Sequence, residues 1–156
     1  MELILRFLIK ISSLNRPIAL VTLKILKLLN KNRGYFKIGN NIMFLDFLDP
    51  IDRKIIINKK YEENEISTLR RLTKDFSANY FFDIGANNGY YSLKFAEFYD
   101  SIKVIAFEPN NEAYFKFKKT IDLNQNLSKK ITLHNFGLSD KNSTEKMRSK
   151  VKYGYI

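Results

Sequence analysis

Cysteine is absent from the 156 residues, and His134 is the only histidine. Without cysteine the chain has no disulfide framework, no thiolate metal site and no cysteine nucleophile. This composition suits a reducing compartment, and we expect a cytoplasmic protein. His134 falls inside a predicted strand rather than beyond its end, which favours a structural role over that of a catalytic base. We therefore predict no metal site, and the sequence identifies no catalytic residue.

Long uncharged hydrophobic runs are also missing. A membrane-spanning helix needs roughly 20 mostly apolar residues, but in the apolar N-terminal segment the longest uncharged stretch after Lys10 runs only from Pro17 to Leu23. Over residues 1–33, basic residues recur three and four apart among apolar ones, which predicts a basic amphipathic helical segment. Residues 1–31 then contact the inner face of an anionic membrane, cover an apolar edge of the following domain, or pair with another subunit.

The net charge of +11 is unevenly distributed. Residues 1–60 hold twelve Lys/Arg against four Asp/Glu, residues 61–115 hold five against nine, and residues 116–156 hold ten against three. Basic flanks of this kind allow nucleic-acid binding, because basic surface neutralises phosphates. The lysines come with many Ile and Asn residues, however, a bias that genome composition can produce. We therefore do not expect nucleic acid as the main partner.

The pattern of apolar residues divides the chain further. Residues 34–60 predict a β-hairpin around Gly39-Asn40-Asn41 and a strand at 54–57. Residues 61–156 begin with a helix at 62–76 and then alternate between strands and helices. The predicted strands are 80–84, 103–107 and 131–136, and the helices between them are 90–98 and 112–123, the second capped by Asn110. This order predicts an α/β fold with a Rossmann-like, doubly wound parallel sheet.

The most informative segment is the loop between the first of these strands and its helix, Asp83-Ile84-Gly85-Ala86-Asn87-Asn88-Gly89. Glycines at 85 and 89 allow a sharp turn and a close ligand approach, and free amides at the helix start would favour an anionic or polar group. The spacing of these glycines differs from the Gly-x-Gly-x-x-Gly of dinucleotide sites, which disfavours a pyrophosphate-binding loop. No Gly-Lys-Ser/Thr follows, which disfavours ATP or GTP hydrolysis. Glu108 ends the next strand, where an acidic side chain can accept hydrogen bonds from ribose hydroxyls.

These motifs resemble those of the FkbM family of S-adenosylmethionine-dependent methyltransferases. The resemblance covers about residues 60–145 and rests on Phe82 to Ser92, Ala106 to Asn110 and Asn135 to Asp140. It implies S-adenosylmethionine as cofactor and a class I methyltransferase sheet. The cofactor-binding residues it implies are Asp83, Gly85, Ala86, Asn87 and Gly89 around the methionine part, Glu108 at the ribose, and Ser139 and Asp140 near the adenine.

The resemblance also implies methyl transfer to a hydroxyl of a sugar, polysaccharide or natural product. Only sixteen residues follow Asp140, so we expect a sheet that is incomplete at its C-terminus, either truncated or completed by a partner. The alternatives are a non-catalytic cofactor-binding remnant and a nucleotide-sugar-dependent envelope enzyme, although the latter should carry an Asp-x-Asp motif that this sequence lacks. Structural roles also stay open: Asp83 as a helix cap, Glu108 as an ion-pair partner, and Ser139-Asp140 as an ordinary turn.

Overall fold

The computed structural model describes residues 32–141, residues 143 and 144, and four N-terminal residues, Val21, Lys24, Ile25 and Leu28. These four are helical and exposed. Of the rest of the predicted basic amphipathic segment, only Asn32 and Arg33 are described, and Arg33 begins a strand rather than lying in a helix; the other residues lie outside the described part of the chain. Within the part of the chain that is described, no helix is both long enough and apolar enough to cross a bilayer.

The first two strands form the predicted hairpin. Strand β1 (Arg33–Ile38) pairs antiparallel with β2 (Asn41–Asp46), with Ile38 opposite Asn41. The two-residue turn between them contains Gly39 at φ 60°, a left-handed conformation that glycine adopts without steric cost. The hairpin prediction is confirmed, and both strands extend beyond the predicted ends.

The strand predicted at 54–57 is wrong, because these residues lie in helix α1 (Pro50–Asn58). Asp49 caps this helix by accepting hydrogen bonds from the N–H groups of Ile51 and Asp52. Pro50 occupies the first helical position, where its missing N–H costs nothing and its fixed φ suits the helix. Ile55 and Ile56 are then buried in the core. The cap, Pro50 and this burial outweigh the β-propensity of three consecutive isoleucines.

The other elements follow the predicted alternation. Helix α2 (Glu63–Asp75) precedes strand β3 (Tyr80–Ile84), helix α3 (Tyr90–Phe98), strand β4 (Lys103–Phe107), helix α4 (Asn111–Leu123), a short helix α5 (Gln125–Ser128) and strand β5 (Ile131–His134). Strands β3, β4 and β5 form a parallel sheet in that order. The sequence missed α5, and it placed the end of β5 two residues too late. The mixed α/β fold and the parallel sheet are confirmed.

Helices α3 and α4 pack on one face of this sheet. Right-handed crossovers between strands added in one direction place successive helices on the same side, and the ring of Phe81 on β3 stacks on Phe95 of α3 at 3.9 Å. The opposite face carries Tyr80, Phe82 and Ile84, which are 54%, 57% and 65% exposed. In the described residues the sheet is therefore wound with helices on one face rather than on both.

The hairpin docks on helix α4 through hydrogen bonds to the backbone of β2. The Thr120 hydroxyl accepts from the Phe44 N–H, and the Asn124 side chain both accepts from the Ile42 N–H and donates to the Ile42 carbonyl. Side chains of α4 thus take the place that a neighbouring strand would have along this edge. Core residues of the hairpin, of α1 and of the parallel sheet belong to one hydrophobic cluster.

Candidate functional site at the carboxyl edge of the sheet

The loop after β3 turns through three left-handed residues. Gly85, Asn87 and Gly89 have φ values of 81°, 50° and 79°. Non-glycine residues rarely adopt this conformation, and asparagine is among those that tolerate it best. Gly89 also lies against the ring of Phe117, so a Cβ there would be 2.1 Å from two ring carbons. The two glycines and Asn87 therefore meet the conformational demands of this turn.

The backbone amides of this loop are directed into the protein. The N–H groups of Gly85 and Ala86 both donate to the Phe107 carbonyl, and the Gly89 N–H donates to the Ala86 carbonyl. The Asn87 N–H donates to the Glu108 carboxylate at 2.7 Å. At the helix start, where free amides were expected, the Tyr90 and Ser92 N–H groups donate to the Asn88 and Asp83 side chains, so the expectation is wrong for these two residues. Because four of the five loop amides also donate within the protein, the loop lacks the row of open N–H groups that a phosphate-binding loop offers.

Glu108 is held at the end of β4 by backbone donors from two loops. One carboxylate oxygen accepts from the Asn87 N–H, and the other accepts from the Asn110 N–H at 2.8 Å. The residue is only 6% exposed, and its own carbonyl accepts from the Asn135 side chain. Each carboxylate oxygen has a second lone pair, so a fixed acceptor for hydroxyl groups stands at this edge. None of the described hydrogen bonds joins Glu108 to a lysine.

Asp83 points from β3 toward the start of helix α3. One of its oxygens accepts from both the N–H and the hydroxyl of Ser92, at 3.1 and 2.6 Å. Burial raises the pKa of Asp83, the Ser92 hydrogen bonds oppose that shift, and the nearby Glu108 adds to it. Asp83 therefore supports the helix start, as the capping alternative expected. The two carboxyl groups, Asp83 and Glu108, also lie close enough to influence each other.

Asn88 is a loop residue that the sequence did not predict as part of the site. It is 2% exposed, its side-chain oxygen accepts from the Tyr90 N–H, and its NH2 group donates to Asp52 of α1 at 2.6 Å. Asp52 is fully buried and pairs with Lys116 of α4 at 2.6 Å. The available signal was a second asparagine in the loop, a residue whose side chain readily bonds nearby backbone groups at turns. Its partner, 36 residues away in the chain, could not be read from the sequence.

The remaining candidates have no hydrogen bond to this loop. Ser139 and Asp140 are both exposed, and the Ser139 hydroxyl donates to the Asp140 carboxylate at 3.1 Å. His134 stacks on Phe107 with ring centroids 5.2 Å apart, and its carbonyl accepts from the Glu108 N–H. His134 thus has a packing role at the end of β5. Of the predicted residues, hydrogen bonds between the loop and the end of β4 bring together Gly85, Ala86, Asn87, Gly89 and Glu108. The Asp83 carboxylate bonds instead to Ser92.

Comparison with family models and with curated proteins gave no match to this chain. The residues of the site itself therefore indicate its chemistry. At the carboxyl edge of the parallel sheet, a tight turn with inward-facing amides stands beside two carboxyl groups, Asp83 and Glu108. This edge is where open α/β sheets bind their ligands. The arrangement favours a ligand with hydroxyl donors and positive charge over one with phosphate groups.

Proposed function

We propose that the chain binds S-adenosylmethionine at the loop of residues 85–89 and Glu108, as part of a methyltransferase that acts on a hydroxyl group. The proposed acceptor is a small molecule or glycan, the class that the FkbM resemblance implies. The described residues would supply the cofactor side of such an enzyme. The acceptor side and the catalytic base are not assigned to any described residue.

The observation that supports this proposal best is the combination of carboxylates and occupied amides at one edge of the sheet. S-adenosylmethionine carries two positive groups, a sulfonium and an ammonium, and one carboxylate, so its net charge is positive, and its ribose has two hydroxyl donors. The carboxyl groups of Asp83 and Glu108 both lie where the loop turns, and a carboxylate there favours a cationic ligand over an anionic one. A pyrophosphate at the same place would meet two carboxyl groups and few open N–H donors, so the local electrostatics disfavour a dinucleotide or a nucleotide sugar.

Glu108 is the residue we assign to the ribose. Two backbone amides fix its carboxylate, so its remaining lone pairs have a defined direction before any ligand arrives. A preorganised acceptor loses less conformational entropy on binding than a mobile surface side chain does. The neighbouring turn brings backbone close to the ligand, since Gly85 carries no Cβ and no other atom lies within 4 Å of the place where one would be.

When bound, S-adenosylmethionine supplies a methyl group whose carbon–sulfur bond breaks as the bond to the acceptor oxygen forms, leaving a neutral thioether and releasing the hydroxyl proton. In such a reaction the protein contributes mainly by holding the two reacting groups in line. The loop and Glu108 perform the binding and orienting part of that task. Asp83 contributes by fixing the start of α3 through Ser92.

Calorimetric titration of the full chain with S-adenosylmethionine tests the binding proposal, with Glu108→Gln as the variant. Hydrogen bonds to a charged group contribute about 1.5–3 kcal/mol each, so we expect the variant to bind roughly tenfold to a hundredfold more weakly. Glu65→Gln, the same chemical change at an exposed position of α2, should leave the affinity unchanged. Binding of NAD or a UDP-sugar in preference to S-adenosylmethionine would overturn the assignment.

Turnover separates the methyltransferase from the non-catalytic alternative. Transfer of a labelled methyl group from S-adenosylmethionine to sugars or polysaccharides would support the enzyme. Saturable binding without transfer to any hydroxyl acceptor, either alone or with a candidate partner chain present, would instead support a cofactor-binding remnant. Both experiments use the same protein, and calorimetry measures binding whereas methyl transfer measures catalysis.

A further inference from the structure

A buried polar cluster joins the N-terminal extension to the proposed cofactor loop. Its centre is Asp52 of helix α1, a fully buried residue. One carboxylate oxygen accepts from the Asn88 side chain at 2.6 Å, and the other accepts from the Asp46 N–H at 2.8 Å and from Lys116 at 2.6 Å. Lys116 also lies 3.4 Å from Asp49. No buried side-chain nitrogen or oxygen among the described residues lacks a partner.

The directions of these hydrogen bonds fix the orientation of Asn88. Its oxygen faces a donor, the Tyr90 N–H, and its NH2 group faces an acceptor, the Asp52 carboxylate. Rotating the amide by half a turn would place donor against donor at the first position and acceptor against acceptor at the second. Asp52 thus determines which way Asn88 points. Asn88 in turn holds the first amide of α3, directly after the turn.

Lys116 makes the carboxylate tolerable in this buried position. Burial raises the pKa of Asp52 and the adjacent lysine opposes that rise. Burial also lowers the pKa of Lys116, but Asp52 and Asp49 outweigh this and the net shift is upward. A protonated lysine 2.6 Å from the carboxylate offsets part of the cost of burying its negative charge.

We propose that Asp52 is a positioning residue for S-adenosylmethionine binding, acting through Asn88 to hold the loop of residues 85–89 in its ligand-ready shape. This inference rests on the proposed function of that loop. It assigns a role at the site to helix α1, which lies outside the parallel sheet and contributes none of the residues expected from the sequence. The Asp52 carboxylate acts on the ligand only indirectly, because its own hydrogen bonds are to protein groups.

Exchanging the two side chains tests this role with little change in volume. Asp52→Asn alone brings an NH2 group against either the Asn88 NH2 or the donors of Asp46 and Lys116. Asn88→Asp alone sets two carboxyl groups in contact, so one of them must be protonated or displaced. In the double variant the amide at position 52 donates to the carboxylate at position 88, which still accepts from the Tyr90 N–H. The hydrogen bonds of the cluster are then restored, with one of them reversed in direction, but Lys116 faces a neutral amide at position 52 and keeps only Asp49 as a charged partner.

Two readouts are needed, one with ligand and one without. Calorimetry gives the affinity for S-adenosylmethionine, and hydrogen–deuterium exchange gives the protection of the loop and the start of α3. We expect each single variant to bind at least about tenfold more weakly and to exchange faster in residues 86–92, since each loses a buried hydrogen bond. The double variant should bind more tightly than either single variant, without regaining the full affinity, because Lys116 then faces a neutral amide at position 52. Asp122→Asn, an exposed substitution on α4, is the matched control.

Each result has a definite meaning. The proposal would be overturned if the folded single variants melt at lower temperatures but keep the original affinity and the original exchange rates in the loop. The cluster would then serve the stability of the protein alone. A double variant that binds S-adenosylmethionine no more tightly than the single variants would overturn it too. If the single variants do not fold, a double variant that folds and binds supports the coupling, and one that does not fold refutes it. If the unsubstituted chain does not bind S-adenosylmethionine, the proposed function fails, and loop exchange alone decides whether Asp52 positions the turn.

Discussion

Substitution of the two loop glycines separates backbone strain from steric conflict. Gly85 and Gly89 have nearly the same φ, 81° and 79°. A methyl carbon on Gly85 would have no atom within 4 Å, whereas one on Gly89 would be 2.1 Å from two ring carbons of Phe117 and 2.5 Å from a third. Phe117 is fully buried, so its ring cannot move aside without disturbing the core. Gly85→Ala is therefore a matched control for Gly89→Ala.

The magnitudes follow from these two effects. A left-handed conformation costs a non-glycine residue about 1–2 kcal/mol, which applies to both substitutions. Overpacking a well-packed core costs typically a further 1–3 kcal/mol, roughly, and this applies only at Gly89. We therefore expect Gly85→Ala to lower the free energy of unfolding by about 1–2 kcal/mol and Gly89→Ala by about 2–5 kcal/mol.

Urea denaturation followed by circular dichroism measures both free energies, with thermal melting as a second measurement. At roughly 2–8 °C per kcal/mol for domains of this size range, the two variants should be resolved in a melting experiment. Equal losses for the two alanines would refute the reasoning, because they would show that the Phe117 ring does not lie against Gly89. A larger loss at Gly85 would refute it more strongly, since strain is the only cost expected there.

Two further predictions concern Asp83 and the exposed face of the sheet. The pKa of Asp83 is raised from its ordinary 3.8, so its contribution to stability is present below that pH and is lost as pH rises through the folded-state value. Asp83→Asn should avoid this loss, so its free energy of unfolding in urea denaturation should rise relative to that of the unsubstituted chain as pH rises above 3.8; a difference independent of pH would contradict this. Phe82 is 57% exposed, so Phe82→Lys should change the free energy of unfolding by no more than about 0.5 kcal/mol, and a loss of several kcal/mol would mean that other residues or a partner cover this face.

The sequence predicted best those elements whose signals are local. Strands β3 and β4 and helix α3 have the bounds that the apolar runs and the flanking glycines indicate. Asn110 caps α4 as its position suggested, by accepting from the Glu112 and Ala113 N–H groups. Residues 54–57 were misassigned because a run of isoleucines satisfies both a strand and a buried helix. There the deciding signal was the Asp49-Pro50 pair at the start of the helix.

That the loop and Glu108 lie near each other could be predicted from the sequence, but their hydrogen bonds could not. Adjacent loops at the carboxyl ends of parallel strands must lie near one another, so the association of the turn with Glu108 followed from the order of the elements. Which amides remain open depends on exact hydrogen-bond geometry, and no sequence pattern encodes the Phe107 carbonyl as a double acceptor. The link from Asn88 to Asp52 likewise depends on how α1 packs, and α1 was itself predicted as a strand.

The buried pair of Asp52 and Lys116 is better explained by geometry than by stability. Removing two charges from water is costly, and apolar residues of similar volume often stabilise a core as well or better. An apolar residue at position 52 could not, however, accept a hydrogen bond from the Asn88 NH2 group, which would then be buried without a partner. Asn88 would lose its fixed orientation, and with it the acceptor for the Tyr90 N–H. The ion pair therefore gives the turn one defined shape, and this requirement makes helix α1 part of the site that the parallel sheet presents.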